Sequence, residues 1–276
     1  MKVAILGLGI IGSRVAARLA AGGADELTLW NRTPKGLPGE AADLAEAVAG
    51  REVVSLYLKD REALRSVVEG FEDAAPDGLR LLNHSTVDLE TTRWLAARSA
   101  ERGWDLLDAP FTGSRDAARD GKLVYYVGGG DETIDALEPF LLRSGRAVVR
   151  CGGIGSATIL KLATNLVSAC TVQALSEALA VATRQGLAPE AFTAAVAENA
   201  CGSPLAAMKL PGMAAGEFET HFSLANMLKD SRYALELAGG LDTPAIAAVS
   251  RRMRELADAG LGGQDYSVLM APYLDR

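Results

Sequence analysis

The sequence has few of the residues that build disulfide frameworks and metal centres. It contains three cysteines and two histidines in 276 residues. Cys151, Cys170 and Cys201 are widely spaced, and none belongs to a CxxC pair. Disulfide-rich domains and structural zinc sites need such residues at short, regular spacing. We therefore expect neither a disulfide framework nor a bound metal.

Positive charge is also scarce. Lysine and arginine number 28 against 35 acidic residues, which gives a formal net charge of −7 and argues against nucleic acid or an anionic membrane as the main partner. The apolar run after Lys2 is interrupted by regularly spaced glycines and followed at once by Ser13 and Arg14, unlike a signal peptide. No later stretch holds 18 uncharged apolar residues. We expect a soluble, cytoplasmic protein.

Short aliphatic runs alternate with charged, Ala-rich stretches of helical length through the first half of the chain. The runs are residues 2–7, 27–30, 52–58, 79–85, 104–110, 123–129 and 146–153. Such alternation predicts a mostly parallel sheet with helices on both faces. From Ser156 onward, Ala/Leu-rich periodic segments take over, and we predict breaks between helices at Gly186, Gly202, Pro211 and Gly239-Gly240. The second half is therefore predicted to be all-helical.

A glycine-rich fingerprint stands between the first predicted strand and the first predicted helix. Gly7, Gly9 and Gly12 enclose Leu8, Ile10 and Ile11 in the order GxGxxG. The first glycine permits a tight turn, the second lets a pyrophosphate approach the backbone, and the third allows close helix–strand packing. This context predicts a Rossmann-type dinucleotide-binding domain over residues 1–155, followed by an all-α domain over 156–276 for substrate binding and dimerisation.

The end of the second strand indicates which dinucleotide binds. NAD-binding domains place an acidic residue there for the ribose hydroxyls, whereas this sequence has Asn31, Arg32 and Thr33. A guanidinium can pair with a 2′-phosphate, and Asn or Thr can add hydrogen bonds. We predict NADP in preference to NAD. The alternative is a surface turn in which Arg32 faces water and Pro34 ends the segment.

Two further segments carry candidate chemistry. Thr112, Gly113 and Ser114 follow a strand and offer hydroxyls and backbone N–H groups to a carboxylate, although such a loop can also merely turn the chain. Lys161 and Asn165 lie four residues apart, on one face of an apolar helix. The lysine either extends its ammonium to solvent or points with Asn165 into a cleft.

Four motifs occur in an order that resembles the β-hydroxyacid dehydrogenase family, which includes 3-hydroxyisobutyrate dehydrogenases and glyoxylate or succinic semialdehyde reductases. They are GLGIIG at 7–12, DAPFTGSRDAARDGKL at 108–123, GSATILKLATN at 155–165 and FSLANMLKDSRYAL at 222–235. The resemblance covers nearly the whole chain and implies a helical C-terminal domain like that of 6-phosphogluconate dehydrogenase. The sequence departs from the family pattern at Phe111, Thr112 and Ala157, where smaller residues or Ser are commoner, and this added bulk bears on the identity of the substrate more than on the catalysis.

The resemblance also implies roles for individual residues. Lys161 would be the general acid/base with Asn165 as its companion, and Thr112, Gly113 and Ser114 would bind the substrate carboxylate. Lys229 and Asp230 would close over nicotinamide and substrate. The residues implied to line the cofactor channel are Leu58, Ser85 and Thr86. The residues Ser114-Arg115 and the Lys-Asp-Ser-Arg segment at 229–232 resemble the glyoxylate and semialdehyde reductase branch and favour it.

These residues predict an NADP-dependent oxidoreductase that interconverts a small carboxylate-bearing aldehyde or 2-oxo acid with its hydroxy acid. An alkoxide forms as the carbonyl is reduced, so a lysine whose pKa is lowered by desolvation could supply the proton. An imine reductase stays open, although that class usually has Asp or Tyr at the lysine position, and so does a non-catalytic dinucleotide sensor. His84 and His221 lie in no motif that needs imidazole. Helices of the second domain predict a homodimer or homotetramer.

Overall fold

The computed structural model describes residues 1–23 and 26–274, and the chain divides into two compact units, Met1–Lys161 and Leu162–Arg276. The division falls inside one long helix. That helix starts at Ser156, and the domain boundary predicted from the sequence, between 155 and 156, stays a prediction. We describe each unit by itself.

The first unit is built on an eight-stranded sheet. Its strands are Lys2–Leu6 (β1), Glu26–Trp30 (β2), Val53–Leu56 (β3), Arg80–Asn83 (β4), Asp105–Asp108 (β5), Phe111–Thr112 (β6), Leu123–Gly128 (β7) and Gly145–Gly152 (β8). The strand order is β2-β1-β3-β4-β5-β7-β6, with β8 paired to β7. Strands β1 to β5 are mutually parallel, while β7 runs antiparallel to β5 and β6. The predicted mostly parallel sheet is confirmed.

Helices cover both faces of this sheet. They are Gly12–Ala21 (α1), Leu44–Val48 (α2), Arg61–Phe71 (α3), Leu89–Glu101 (α4), Arg115–Arg119 (α5) and Asp131–Leu141 (α6). Successive strand residues point to opposite faces, so Val3 and Ile5 of β1 join a core with Leu19 of α1, while Ala4 joins a second core with Val68 of α3. Parallel strands buried on both faces read as continuous apolar runs, which is why the sequence revealed them.

Four rings form an aromatic cluster at the first of these cores, in which His84 and Tyr125 are buried and Tyr57 and Phe111 half-buried. His84 stacks on Tyr57 at 4.5 Å between ring centroids and lies 5.2 Å from Tyr125, while Phe111 lies 6.0 Å from Tyr57. The Nδ1 atom of His84 donates to the carbonyl of Ala109 at 2.7 Å. Burial lowers the pKa of His84 to about 4, against the opposing effect of that hydrogen bond. His84 is therefore a neutral core residue at physiological pH.

The second unit is helical, as predicted. Its elements are the rest of Ser156–Arg184 (α7), then Pro189–Ala197 (α8), Pro204–Ala215 (α9), Leu224–Ala238 (α10), Pro244–Leu256 (α11), a π-helical turn at Ala257–Leu261 and a 3₁₀ segment at Tyr266–Tyr273. Breaks fall at Gly186, Gly202 and Gly239-Gly240, but the predicted break at Pro211 is wrong. Pro211 lies inside α9. Proline removes one N–H from a helix without always ending it, and α9 continues to the left-handed Gly216.

The helix α7 is long and apolar enough to cross a membrane by length and composition, although only a third of its most apolar window is buried. Core helices of globular domains meet the same criterion. One side of α7 does contribute to the second unit's core, through Ala169, Val172, Leu175 and Leu179.

A buried ion pair lies beneath the start of α10. The Lys209 ammonium is 2.7 Å from an Asp265 carboxylate oxygen, and both side chains are over nine-tenths buried. The other Asp265 oxygen accepts from the backbone N–H groups of His221 and Phe222, both at 3.0 Å. Burial alone would raise the pKa of Asp265, but the hydrogen bond from Lys209 and these N–H groups bring it below its usual value.

The buried imidazole predicts an acid-dependent loss of stability. A histidine in the unfolded chain titrates near 6.5, whereas His84 in the fold titrates at about 4. Between these values the unfolded state binds more protons, so the free energy of unfolding falls as pH falls, by about 3 kcal/mol in total for this group. His84→Phe keeps a ring and does not titrate, so its stability should fall less over the same range.

The measurement is urea unfolding of wild type and His84→Phe from pH 7 to pH 4.5, followed by tryptophan fluorescence. Trp30, Trp94 and Trp104 all lie in the first unit, so the signal reports on the domain that contains His84. Stability curves that stay parallel across this range would contradict a neutral, buried His84.

Candidate cofactor and substrate sites

The glycine-rich turn after β1 has little room for side chains at two of its three glycines. Gly7 has φ of +101°, and a Cβ there would overlap the carbonyl of Tyr57. A Cβ on Gly12 would overlap the carbonyl of Gly7. At Gly9, by contrast, a Cβ would meet no protein atom within 4 Å. The open space lies where the fingerprint predicts that a pyrophosphate approaches the backbone.

The start of α1 has no side-chain cap, although the N–H groups of Ser13 and Val15 already donate to the carbonyls of Gly9 and Ile11. The capping residue Ile11 makes no side-chain cap, and no acidic residue occupies the first turn, within the described part of the chain. Side chains do cap α2 to α5, at Asp43, Asp60, Asp88 and Ser114. The helix dipole and the absence of a side-chain cap favour an anion at such a terminus. Together with the space at Gly9, this start of α1 fits the pyrophosphate of a dinucleotide, and Ile10 is exposed beside it.

The end of β2 shapes the same turn. The side-chain Oδ1 atom of Asn31 accepts from Leu8 N at 2.9 Å, and its side-chain Nδ2 atom donates to the backbone carbonyl of Thr33 at 2.7 Å. Asn31 therefore ties the glycine-rich turn to the segment after β2. Arg32 and Thr33 are exposed, and Arg32 lines an open groove of about 840 Å³ with Asn31 and Pro34. The predicted NADP contacts of these three residues stay predictions.

The other implied cofactor residues lie at the ends of β3 and β4. The Ser85 hydroxyl accepts from Leu58 N at 2.8 Å and donates to Leu56 O at 3.3 Å. Ser85 is buried, so its side chain joins the two strand ends, while Leu58 and Thr86 are half-buried beside it. These strand ends lie at the carboxyl edge of the parallel sheet, where ligands bind in open α/β folds.

The predicted substrate loop includes the short strand β6. Thr112 pairs with Val124 of β7 and is exposed. Gly113 has φ of +139°, and a Cβ there would press on Leu123. Ser114 caps α5 by accepting from Ala117 N at 3.2 Å, so its hydroxyl proton is still free to be donated. Phe111 instead packs on Tyr57 and Tyr125, so the core takes up its extra bulk.

Asp108 was not singled out from the sequence, although it opens the substrate-loop motif. Its side chain is fully buried, and its carboxylate accepts from Gly155 N at 3.1 Å, Thr158 N at 2.9 Å and Thr158 Oγ1 at 2.8 Å. Burial raises the pKa of Asp108, and these three hydrogen bonds oppose the rise. An acidic residue that ends an apolar run was the only signal available. Asp108 attaches the first turn of α7 to the end of β5.

The predicted catalytic residues lie on α7. Lys161 is half-buried and belongs to the first unit, and Asn165 follows one turn later in the second unit. The Asn165 amide donates to one oxygen of the buried Asp230 carboxylate at 2.7 Å, and the Lys229 ammonium lies 2.8 Å from the other oxygen. Lys229 also lies 4.9 Å above the Tyr233 ring. Three of the residues implied by the resemblance thus form one polar network.

The sheet, the glycine-rich turn and the uncapped start of α1 define a dinucleotide-binding protein. Residues 2–153 match the family model described as the NAD binding domain of 6-phosphogluconate dehydrogenase. Residues 155–273 match the model described as the NAD-binding of NADP-dependent 3-hydroxyisobutyrate dehydrogenase. The chain belongs to the β-hydroxyacid dehydrogenase family.

Similar proteins agree over almost the whole chain. Glyoxylate/succinic semialdehyde reductase 2 of Arabidopsis thaliana is 28% identical, covering 98% of this chain and 78% of its own length. The 3-hydroxyisobutyrate dehydrogenase of Pseudomonas aeruginosa is 29% identical, covering 98% of both. The structure of Mycobacterium tuberculosis 3-hydroxyisobutyrate dehydrogenase with L-serine shares the fold with a TM-score of 0.90 at 24% identity, over 99% of both chains.

Adding one methyl group at Gly9 or at Gly12 should have two different consequences. Gly9→Ala should fold as wild type but raise the Kd for NADPH about tenfold or more, because the methyl would fill the space left for the pyrophosphate. Gly12→Ala should instead cost about 3 kcal/mol of stability, because its methyl collides with backbone. Urea unfolding and fluorescence titration with NADPH separate these effects. A Gly9→Ala protein that binds NADPH like wild type would rule out this cradle.

Proposed function

We propose that this protein is an NADPH-dependent reductase of a small aldehyde or 2-oxo acid that bears a carboxylate, and that it also runs the reverse oxidation. The observation that carries the proposal is the attachment of α7 to the end of β5, from which the chain continues into the substrate loop. Asp108 opens the loop segment and holds the first turn of the helix on which Lys161 follows. Asp108 thereby joins the helix that carries the proton donor to the strand from which the carboxylate-binding loop continues.

The chemistry requires a proton at the carbonyl oxygen. When bound, NADPH supplies the hydride that reaches the carbonyl carbon. The Lys161 ammonium donates a proton to the oxygen as negative charge develops there, and the neutral amine takes a proton from the alcohol in the reverse direction. We assign Asn165 the task of orienting the reacting groups, because Asp230 already fixes its amide. We place Lys229 at the substrate and, with Asp230, at the nicotinamide.

The substrate loop supports a carboxylate as the second recognised group. Thr112 and Gly113 are exposed. The Ser114 hydroxyl accepts from Ala117 N and still has its own proton to donate. Hydroxyl and N–H donors can hold an anion without a fixed positive charge. The similar proteins support this class, since glyoxylate, succinic semialdehyde and 3-hydroxyisobutyrate all carry a carboxylate. We favour the glyoxylate and semialdehyde branch.

The preference for NADPH follows from charge at the end of β2. Arg32 lines the groove there, and Asn31 replaces the carboxylate that would repel a 2′-phosphate. A planar guanidinium pairs with phosphate through two parallel hydrogen bonds, and Thr33 adds an exposed hydroxyl. We also propose a cytoplasmic location, in keeping with the three cysteines, which are all free thiols.

An exposed apolar stripe on α7 supports self-association. Its members lie three, four or seven residues apart along the helix and are Ile159, Ala163, Val167, Ala174, Ala178 and Val181. Val167 and Val181 are 61% and 66% exposed. The exposed Glu177, five helical turns after Ile159, interrupts this face, and an apolar stripe of this length is typical of an interaction surface. We propose that two copies of the chain associate through this stripe, either as a homodimer or within a homotetramer.

Replacing Lys161 tests the catalytic assignment. Lys161→Ala should bind NADPH nearly as wild type but lose turnover by about 10²–10⁴-fold. The control is Lys122→Ala, because Lys122 is exposed directly before β7, and its turnover should equal that of wild type. The assay is loss of NADPH absorbance with glyoxylate, succinic semialdehyde and methylmalonate semialdehyde, with NADH in parallel. Wild type should prefer NADPH.

Each other result of this assay has a distinct meaning. A fully active Lys161→Ala would refute the mechanism, and equal rates with NADH would refute the cofactor preference. Turnover of cyclic imines alone would favour an imine reductase. Tight NADPH binding without turnover of any carbonyl, alcohol or imine would favour a dinucleotide sensor.

A charge placed on the α7 stripe tests the assembly. Light scattering should give wild type a mass of at least twice the 28.9 kDa of the chain. Val167→Glu should lower it towards the monomer, because burying an unpaired carboxylate in an apolar interface is costly. Leu241→Glu, 72% exposed outside the stripe, is the matched control. A wild-type protein with the monomer mass would refute the proposal.

A further inference from the structure

The Asp108 carboxylate is the meeting point of three donors from the start of α7. Its Oδ2 atom accepts from the N–H groups of Gly155 and Thr158, and its Oδ1 atom accepts from the Thr158 hydroxyl. A carboxylate with only donors around it is satisfied in its ionised form. Lys161 follows Thr158 by three residues, which is less than one helical turn.

The hydroxyl chain behind Asp108 is also directional. Thr158 has a single hydroxyl proton and donates it to Asp108, so in the 2.9 Å contact the Thr92 hydroxyl is the donor, and it shares its proton with the Asp88 carbonyl at 3.3 Å. The titratable neighbour on the β8 side is the Cys151 thiol, whose pKa is raised first by burial and also by the Asp108 charge. Beyond Thr92, the Asp88 carboxylate faces Arg61 at 3.4 Å.

The position of this charge matters for Lys161. The N-terminus of a helix carries a partial positive charge, which disfavours an ammonium in the first turns. Asp108 places a full negative charge at that same end of α7 and is buried, where solvent screens it little. The carboxylate thus has two separable effects, one on the location of the helix start and one on the electrostatic potential along its first turns.

We propose that Asp108 is a positioning residue for Lys161: it holds the first turn of α7 against the end of β5, and its charge offsets the positive end of the helix on which Lys161 lies. The inference rests on the proposed function, because it gives Lys161 the proton-transfer role. Asp108 itself need touch neither substrate nor cofactor.

Two substitutions separate the two effects. In Asp108→Asn, the side-chain oxygen can still accept from Gly155 N and Thr158 N, and the new amide can donate to Thr158 Oγ1 if that hydroxyl turns its proton to Thr92. This variant removes the charge and keeps the anchor. Asp108→Ala removes both. Asp105→Asn, exposed at the start of the same strand, is the matched control.

The charge is tested without any substrate. The rate at which acetic anhydride modifies Lys161 is measured by mass spectrometry from pH 6 to pH 11, which gives the pKa of its amine. In Asp108→Asn we expect this pKa to fall by about half a unit, with Asp105→Asn like wild type. A Lys161 that titrates identically in wild type and Asp108→Asn would overturn the electrostatic part of the proposal.

The anchor is tested by steady-state kinetics. Asp108→Ala should lower kcat at least tenfold with little change in the KM for NADPH, and Thr158→Ser should retain more of kcat than Thr158→Val because it keeps the hydroxyl. Unchanged kcat in Asp108→Ala would overturn the positioning role. If Lys161→Ala is itself fully active, the proposed function fails, while the modification experiment still reports whether Asp108 acts on Lys161.

Discussion

The close contact between Gly12 and the carbonyl of Gly7 is the constraint on which the first unit depends. It brings α1 so near the end of β1 that only hydrogen fits between them. Tyr57 closes the other side of the turn, since its carbonyl lies where a Gly7 side chain would be. The ring of Tyr57 then stacks on His84. Tyr57 thereby links the backbone of the glycine-rich turn to the aromatic cluster and, through Phe111, to the start of the substrate loop.

The polar groups of the second unit obey a different rule, because charge rather than volume decides their arrangement. Asp230 is almost fully buried and receives the Asn165 amide on one oxygen and the Lys229 ammonium on the other. A buried carboxylate is tolerated only when its oxygens are paired in this way. The same pairing holds the amide of Asn165 and the ammonium of Lys229 in fixed orientations. One network therefore both compensates the buried Asp230 charge and orients the side chains of Asn165 and Lys229.

Local patterns in the sequence predicted those parts of the protein that local physics controls. The strands could be recognised in the sequence as aliphatic runs because both faces of the sheet are buried. The turn at Gly7 could be recognised because its positive φ requires glycine. The break at Pro211 was wrong because packing overrode a local preference. Strand β6 is only two residues long and carries no periodicity, so it could not be seen.

The missed features are contacts between residues far apart in the chain. Asp108 lies about fifty residues before its donors on α7, as its bond to Thr158 spans 50 positions. Nothing near Asp108 in the sequence shows that it is buried against a helix start. The extra bulk of Phe111 likewise implied a changed substrate site until its contacts with Tyr57 and Tyr125 were known. Composition and spacing identify residue types, whereas partners are determined by the fold.

The buried pair of Lys209 and Asp265 constrains how this sequence can diverge. Losing either residue alone leaves a solitary charge in the interior, which is far more harmful than exchanging both for apolar residues. Asp265 is further restricted because it also accepts from the backbone at His221 and Phe222. Single-step routes away from this pair are therefore closed, and relatives that lack the lysine should have rebuilt the surroundings of the aspartate as well.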